Sequence, residues 1–169
     1  MPTSGPTAPT STFSNGLLTI RTVRWRDGRF LRQVRNHPQI LALAGNKPVG
    51  WWEHWRWFLC TGEQVWIGLV DGKRAGYVRV SRGCQAWIIS LAIIPGFWRY
   101  GLGLNMLRWV EADRDLTERK TTLWAEIEFD NFASRRLFEK AGFSQAPAII
   151  LPQEMRRLEK PHTLWYTKG

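Results

Sequence analysis

The chain has 169 residues, of which 44% are hydrophobic and 22% charged, and its formal net charge is +10. This length and composition predict one globular domain and exclude an intrinsically disordered chain. No apolar run approaches the roughly 20 residues of a membrane span, and residues 1–15 lack the basic and apolar regions of a secretory signal. We therefore expect a flexible tail over residues 1–15, a folded domain over 16–169 and a cytoplasmic location.

The cysteine content and the charge point to broad classes of partner. Cys60 and Cys84 have neither metal-ligand nor redox spacing, which predicts buried, reduced thiols and no metal. Six arginines lie within residues 21–35, and such a basic surface attracts polyphosphates such as CoA, sugar nucleotides and nucleic acid. A solvated surface without a partner is the alternative. Most of the eleven tryptophans are expected in the core, although stacking on a nucleotide is also open.

The first half of the chain predicts strands around two helices. Apolar alternation and short apolar runs predict strands over residues 17–23, 65–70 and 75–80. Apolar residues at helical spacing predict helices over residues 27–34 and 49–60. Pro38 is expected to interrupt the first helical pattern. Asp71-Gly72, between two apolar runs, predicts a β-hairpin.

The second half continues with alternating strands and helices. Strands are predicted over residues 86–94, 121–127, 148–151 and 163–167, and helices over 102–116 and 131–141. The isoleucine-rich run 86–94 is typical of a central strand. This order predicts a layered α/β fold with a mixed sheet.

The turn between residues 95 and 103 is the first functional motif. Pro95 ends the apolar run, and Gly101 and Gly103 precede an amphipathic segment. A strand that passes through a glycine turn into a helix leaves backbone N–H groups without partners at the positive end of the helix dipole. Phosphate binds readily at such a place, and glycine permits its close approach. An ordinary helix start would have the same sequence.

A second segment, NFASRRLFEKAGF over residues 131–143, strengthens this interpretation. Together the two segments resemble the GNAT superfamily of acyl-CoA-dependent N-acyltransferases. The family's loop pattern, Arg/Gln-x-x-Gly-x-Gly/Ala, corresponds to residues 98–103. Its second pattern, Asn-x-x-Ser/Ala-x-x-Leu-Tyr-x-x-x-Gly-Phe, corresponds to Asn131, Ser134, Leu137, Phe138, Gly142 and Phe143. Trp98 replaces the usual Arg or Gln, and Phe138 replaces the Tyr that in many members protonates the leaving thiolate.

The resemblance implies a GNAT-type α/β fold and acetyl-CoA as co-substrate. The sheet is expected to be mixed but mostly antiparallel, with about six to seven strands flanked by about four helices. The implied cofactor-binding residues are Leu91, Ile93, Ile94, Trp98, Arg99, Tyr100, Gly101, Leu102, Gly103, Leu104, Asn131, Ser134 and Phe138. The strand residues would pair with pantetheine, and the loop N–H groups would hold the pyrophosphate. The Arg99 side chain would assist there or remain solvated, and Asn131 would bind pantetheine, cap its helix, or both.

Acyl transfer to an amine needs a base, and two residues are candidates. Glu126 lies on the fifth predicted strand, near the place where the fourth and fifth strands separate in this fold. It would act directly or through a water, and a solvent-facing strand carboxylate is the alternative. His54 lies on the aromatic second helix, where a structural role is the alternative.

The first half of the chain suggests an acceptor. Val-Arg-Asn-His-Pro at residues 34–38, with Glu53-His54 and Trp57-Phe58, resembles GNAT members that acetylate an amino sugar on a nucleotide carrier, as in pseudaminic-acid synthesis. Arg35, Asn36 and His54 would then bind a nucleotide-linked amino sugar. Salt bridging and helix capping are alternative roles for the same residues. Other functions left open are acylation of a nucleic-acid base, of aminoacyl-tRNA or of a protein N-terminus, and a non-catalytic binding module; the oligomeric state is not predicted.

Overall fold

The computed structural model describes residues 10–13, 16–60, 62–82, 86–112, 122–147 and 162–168. The described strands are β1 (Thr10–Phe13), β2 (Gly16–Thr22), β3 (Gln64–Val70), β4 (Lys73–Arg82), β5 (Trp87–Ile93), β6 (Leu123–Glu128), β7 (Ser144–Ala146) and β8 (Thr163–Lys168). The described helices are α1 (Gly28–Arg35), α2 (Pro38–Ala44), α3 (Trp51–Cys60), α4 (Leu102–Glu111) and α5 (Phe132–Lys140). None of these helices is long and apolar enough to cross a membrane.

The strands form one eight-stranded sheet in the order β1-β2-β3-β4-β5-β6-β8-β7. Neighbouring strands run antiparallel except β5 and β6, which are parallel. The parallel pairing is short, since only Trp87 with Leu123 and Ile88 with Trp124 are in register. Beyond these residues β5 and β6 separate, and this separation creates a cleft near the middle of the sheet. The layered, mostly antiparallel α/β fold predicted from the sequence is confirmed.

Helices cover both faces of the sheet. On one face, α1 buries Phe30, Leu31 and Val34 against β3, with aromatic residues of α3 beside them. On the other face, α4 buries Leu102, Met106, Leu107 and Val110 against the strands, together with Phe138 of α5. Helices α1 and α4 therefore present their apolar sides to the sheet, as their sequence periodicity predicts.

Several predicted boundaries differ from the structure. The sequence interpretation missed α2 because Pro38 was read as a break. Pro38 instead occupies the first helical position, where its missing N–H requires no partner. Residues 10–13, expected in the tail, pair with β2 as β1, and the short β7 was not predicted.

The remaining sequence predictions concern the two cysteines and segments that lie outside the described residues. Cys60 is exposed, so the prediction that it is buried is wrong. Cys84 lies outside the described residues. The predicted strand over residues 148–151 and the end of the predicted helix over residues 113–116 also lie outside them.

Candidate active site

The separation of β5 from β6 leaves a cavity of about 310 Å³. Its walls come from these two strands, from the neighbouring β4 and β8, and from α1, α2 and α5. The lining residues used below are Arg35, Tyr77, Arg79, Ser90, Leu91, Glu126, Glu128, Asn131, Ser134, Phe138 and Thr163. Glu126 and Arg35 were both predicted as site residues, and the fold brings them to this one cavity.

One wall of the cavity is the free edge of β5. The Trp87 N–H donates to the Thr122 carbonyl on the β6 side at 3.2 Å, whereas the Ile94 N–H donates to Ala75 on the β4 side at 2.9 Å. Backbone groups alternate in direction along a strand, so those of Ile89, Leu91 and Ile93 point toward the departed β6. Leu91 and Ile93 therefore lie on the free edge of β5, which their predicted pairing with pantetheine requires. The Ile94 N–H is already paired within the sheet, which contradicts its predicted pairing with the cofactor.

The loop after β5 directs a series of N–H groups outward. The Trp98 N–H donates to Pro95 at 3.1 Å, and its indole Nε1 donates to the Ile93 carbonyl at 2.6 Å. Trp98 thus fastens the loop to the end of β5. Its N–H is already paired and is not available to a phosphate, contrary to the prediction. By contrast, no backbone carbonyl among the described residues accepts from the N–H groups of residues 99–104. These groups surround the N-terminus of α4, where the helix dipole is positive.

The two glycines of this loop have different roles. Gly101 has a φ of +72°, and among the described residues a Cβ added there would meet only the Asn105 side chain, at 3.8 Å. Gly103 is buried, and its Cβ would lie 2.8 Å from Leu137 and 3.1 Å from Leu91. Gly103 therefore permits α4 to pack closely against α5 and β5 rather than admitting a phosphate. Arg99 has a φ of +68°, and both Arg99 and Tyr100 are exposed.

The start of α5 closes one end of the cavity. Asn131 Oδ1 accepts the Ser134 N–H at 3.1 Å, and Asn131 Nδ2 donates to the Leu43 carbonyl at 2.9 Å. Asn131 is thus the N-cap of α5 and connects it to the end of α2. Phe138 is buried against Phe143 with ring centroids 5.0 Å apart. Its ring lines the cavity but has no proton to give.

Two carboxylates lie on β6. Glu126 is half-buried and accepts a hydrogen bond from Thr163 Oγ1 at 3.1 Å. Glu128, two residues later, faces the same side of the sheet and lies against Gly45, whose added Cβ would be 2.5 Å from Glu128 Oε1. Sequence reasoning missed Glu128, although a spacing of two on one strand predicts a shared face.

On the side of β5 that faces β4, the side chains around the cavity are cationic and aromatic. The guanidinium carbons of Arg35 and Arg79 lie 5.8 Å and 5.6 Å from the centroid of the Trp57 ring. Burial raises the pKa of the nearby Tyr77 hydroxyl, while the charges of Arg79 and Arg35 act in the opposite direction. Tyr77 and Arg79 were not predicted as site residues because they come together only through strand pairing and α1 packing.

His54 and Asn36 have structural roles instead of the predicted site roles. His54 is fully buried within the aromatic residues of α3, and its Nε2 lies 2.7 Å from the Gly28 carbonyl. Burial lowers the pKa of His54, with the nearby arginines acting in the same direction. Asn36 Nδ2 donates to the Val49 carbonyl at 2.9 Å and its Oδ1 accepts the Val49 N–H at 2.8 Å. Neither side chain lines the cavity, so the structure gives no support to their predicted roles in binding or activating substrate.

A sheet that opens between two parallel strands, with an N–H-rich loop after the first strand, is the framework of an acyltransferase fold. The chain belongs to the acetyltransferase (GNAT) family, whose model matches residues 31–143. Members of this family use acetyl-CoA as co-substrate.

Individual relatives are also similar to the chain. It is 36% identical over 62 residues to the [ribosomal protein bS18]-alanine N-acetyltransferase of Salmonella typhimurium, a match that covers 37% of this chain and 41% of that protein. The matched part thus spans less than half of that curated relative. The fold is similar to that of a domain from Methanocaldococcus jannaschii, with a TM-score of 0.75, 22% identity, and coverage of 89% of this chain and 97% of that one. It is also similar to the ribosomal-protein-alanine N-acetyltransferase of Brucella melitensis, with a TM-score of 0.68, 21% identity, and coverage of 88% and 98%.

Proposed function

We propose that this chain transfers an acetyl group from acetyl-CoA to a primary amine in the cleft between β5 and β6. The observation that carries the proposal is the arrangement around the cavity. A free strand edge leads into an N–H-rich helix start on one side, and a carboxylate, Glu126, faces the cavity from the other strand. The first group of features suits a thioester cofactor, and the second suits an amine that must lose a proton.

The cofactor would extend the sheet at the free edge of β5. The backbone groups of Leu91 and the N–H of Ile93 would pair with the pantetheine amides as an added strand does, since the Ile93 carbonyl already accepts from Trp98. The N–H groups of residues 99–104 would bind the pyrophosphate at the positive end of α4, and the exposed Arg99 side chain would add a charge-assisted contact. Ser134 and Phe138 would contact the pantetheine arm near the reacting thioester.

The acyl transfer itself would use Glu126 as the base. The carboxylate accepts a proton from the acceptor ammonium, directly or through a water, and the neutral nitrogen attacks the thioester carbonyl carbon. The C–N bond would form and the C–S bond would then break to release CoA as a thiolate, while the second proton of the attacking nitrogen would pass to solvent water. Because Phe138 has no proton to donate, the thiolate would leave as an anion and take its proton from water.

Substitution of Glu126 tests this mechanism. Gln at position 126 keeps an oxygen that can accept from Thr163 but cannot take up a proton. With an active acceptor, we expect kcat/KM for thiol release to fall by about 10²–10⁴-fold while the acetyl-CoA Kd changes little. Glu128→Gln is the matched comparison and should have a much smaller effect. Unchanged turnover in Glu126→Gln would remove this residue from the mechanism.

Two acceptors have support. The likeness in residues 34–58 favours a nucleotide-linked amino sugar, and the position of Arg35 in the cavity is compatible with diphosphate recognition. The similarity to the bS18-alanine N-acetyltransferase favours the N-terminal amine of a protein instead. Thiol release would be measured with separate panels of UDP-amino sugars, peptides with free N-termini and oligonucleotides. A sugar nucleotide should remain active in moderate salt, whereas a nucleic-acid acceptor should lose affinity steeply.

A further inference from the structure

Two arginines share one tryptophan beside the cavity. Arg35 comes from the end of α1 and Arg79 from β4, and both guanidinium groups lie within 6 Å of the Trp57 ring centroid. Guanidinium groups stack favourably on indole faces. Trp57 therefore restricts both arginines, so that a ligand would meet cationic groups already held in place.

The two arginines differ in their partners. Arg79 Nε donates to Ser90 Oγ at 3.0 Å, and its Nη1 lies 3.4 Å from Glu63 Oε2. Arg35 makes no hydrogen bond or ion pair with any residue that the structure describes, although it is half-buried and lines the cavity. Because Arg35 has no acidic partner among the described residues and lines the cavity, its N–H donors are available to a ligand there.

The charges are separated across the cavity. Strands β4 and β6 lie on opposite sides of β5. Arg79 stands on β4, whereas Glu126 and Glu128 stand on β6 and face the same side of the sheet. One side of the cavity is therefore cationic and the other carboxylate-lined, which suits a ligand that carries an amine at one end and an anionic oxygen group at the other.

We propose that Arg35, with Tyr77 and Arg79, forms an oxyanion subsite, and that the acceptor is an amine that also carries a phosphate or carboxylate group. This inference rests on the proposed function, because it requires the amine end to be delivered to Glu126. Guanidinium groups bind both kinds of oxyanion in a bidentate manner. The Tyr77 hydroxyl remains protonated and adds a donor at the same place.

Matched pairs of acceptors test the subsite. One pair is glucosamine 1-phosphate and glucosamine, and the other is a C-terminally amidated dipeptide with a free N-terminus and either Asp or Asn at its second position. Thiol release from acetyl-CoA would give kcat and KM for each. We expect the anionic member of at least one pair to have a kcat/KM about 10–100-fold higher, the range for a hydrogen bond to a charged group. The pair that shows the difference identifies phosphate or carboxylate as the natural group.

Substitution of Arg35 separates recognition from packing. Arg35→Gln should remove most of the preference for the anionic member by raising its KM. It should leave the kcat/KM of the neutral member and the acetyl-CoA Kd nearly unchanged. Arg29→Gln, an exposed arginine of the same helix outside the cavity, is the control and should preserve the preference.

The outcomes distinguish this inference from the proposed function. Equal kcat/KM for both members of each pair in the parent protein would overturn the subsite. The subsite would also be overturned if Arg35→Gln lowered both members of a pair to the same extent. Failure of every amine to release thiol would instead contradict the proposed acetyl transfer.

Discussion

Replacing Asp27 by Asn should destabilise the protein, and the size of the effect follows from the contacts of this carboxylate. Asp27 is only 1% exposed. Its oxygens accept from Arg21 Nη1 and Nη2 at 2.6 Å and 3.0 Å, from Arg74 Nε at 2.9 Å and from the Arg24 N–H at 2.8 Å. An Asn side chain keeps one acceptor oxygen but directs its NH₂ group at donors and removes the charge that both arginines share.

Breaking a buried ion pair by removing one partner costs about 3–5 kcal/mol. The side chains of Arg21 and Arg74 are 22% and 43% exposed. Water can therefore hydrate these two guanidinium groups in part when the carboxylate is lost. We therefore expect Asp27→Asn to lower the free energy of unfolding by about 3 kcal/mol at pH 7, near the lower end of that range.

The effect should depend on pH in a defined direction. Burial by itself raises the pKa of Asp27, but hydrogen bonds and charges from Arg21, Arg24 and Arg74 outweigh it and leave this pKa below its ordinary value of 3.8. A carboxylate with a lowered pKa in the folded state stabilises the protein above the unfolded-state pKa. That contribution is lost as the pH falls through the folded-state pKa. The difference between the parent and Asp27→Asn should thus shrink below about pH 4.

Urea unfolding followed by far-UV circular dichroism would measure both effects. Asp130→Asn is the matched control, because Asp130 is exposed and surface substitutions usually change stability by less than about 0.5 kcal/mol. A deficit for Asp27→Asn no larger than that of the control would refute the reasoning. A deficit that is equal at pH 7 and pH 3 would refute the electrostatic explanation.

Two further substitutions test the loop and the first helix. Gly101→Ala forces a side chain into a positive φ at a cost of about 1–2 kcal/mol and should weaken acetyl-CoA binding at least about tenfold by calorimetry. Gly96→Ala lies in the same loop, where no atom of the described residues comes within 4 Å of the added Cβ, and it should bind acetyl-CoA normally. Equal affinities of the two variants would show that the cofactor does not approach Gly101. Asn36→Ala removes both hydrogen bonds to Val49 and should lower unfolding free energy by about 1–3 kcal/mol. Reduced turnover of the acceptor with an unchanged free energy of unfolding would instead support the predicted role of Asn36 in binding the acceptor.

Local sequence patterns were sufficient to predict the loop and the helix cap on the proposed cofactor side of the cavity. A glycine turn between a strand and a helix has a local physical basis, because the first N–H groups of any helix lack partners. The same holds for Asn131, whose side chain caps the helix that follows it directly. The family segments around these residues lie next to the structures they form, so spacing along the chain was enough to predict them.

Residues whose role depends on distant contacts were predicted less well. His54 and Asn36 have polar side chains of the kind that bind substrates, but burial against Gly28 and pairing with Val49 give them structural roles. Gly103 belongs to the phosphate-loop pattern, yet Leu91 and Leu137 enclose it. A sequence pattern carries no information about which side chain will be enclosed by a segment packed from elsewhere.

The proposed acceptor side of the cavity was decided by the tertiary structure. Glu126 could be predicted because it lies on a strand next to the expected separation of the sheet. Arg35, Trp57, Tyr77 and Arg79 come from α1, α3 and β4, and they meet only when the helices pack on the sheet. Local backbone propensity and hydrogen bonding determine a loop, whereas the charge distribution across a cavity depends on long-range packing that no single segment specifies.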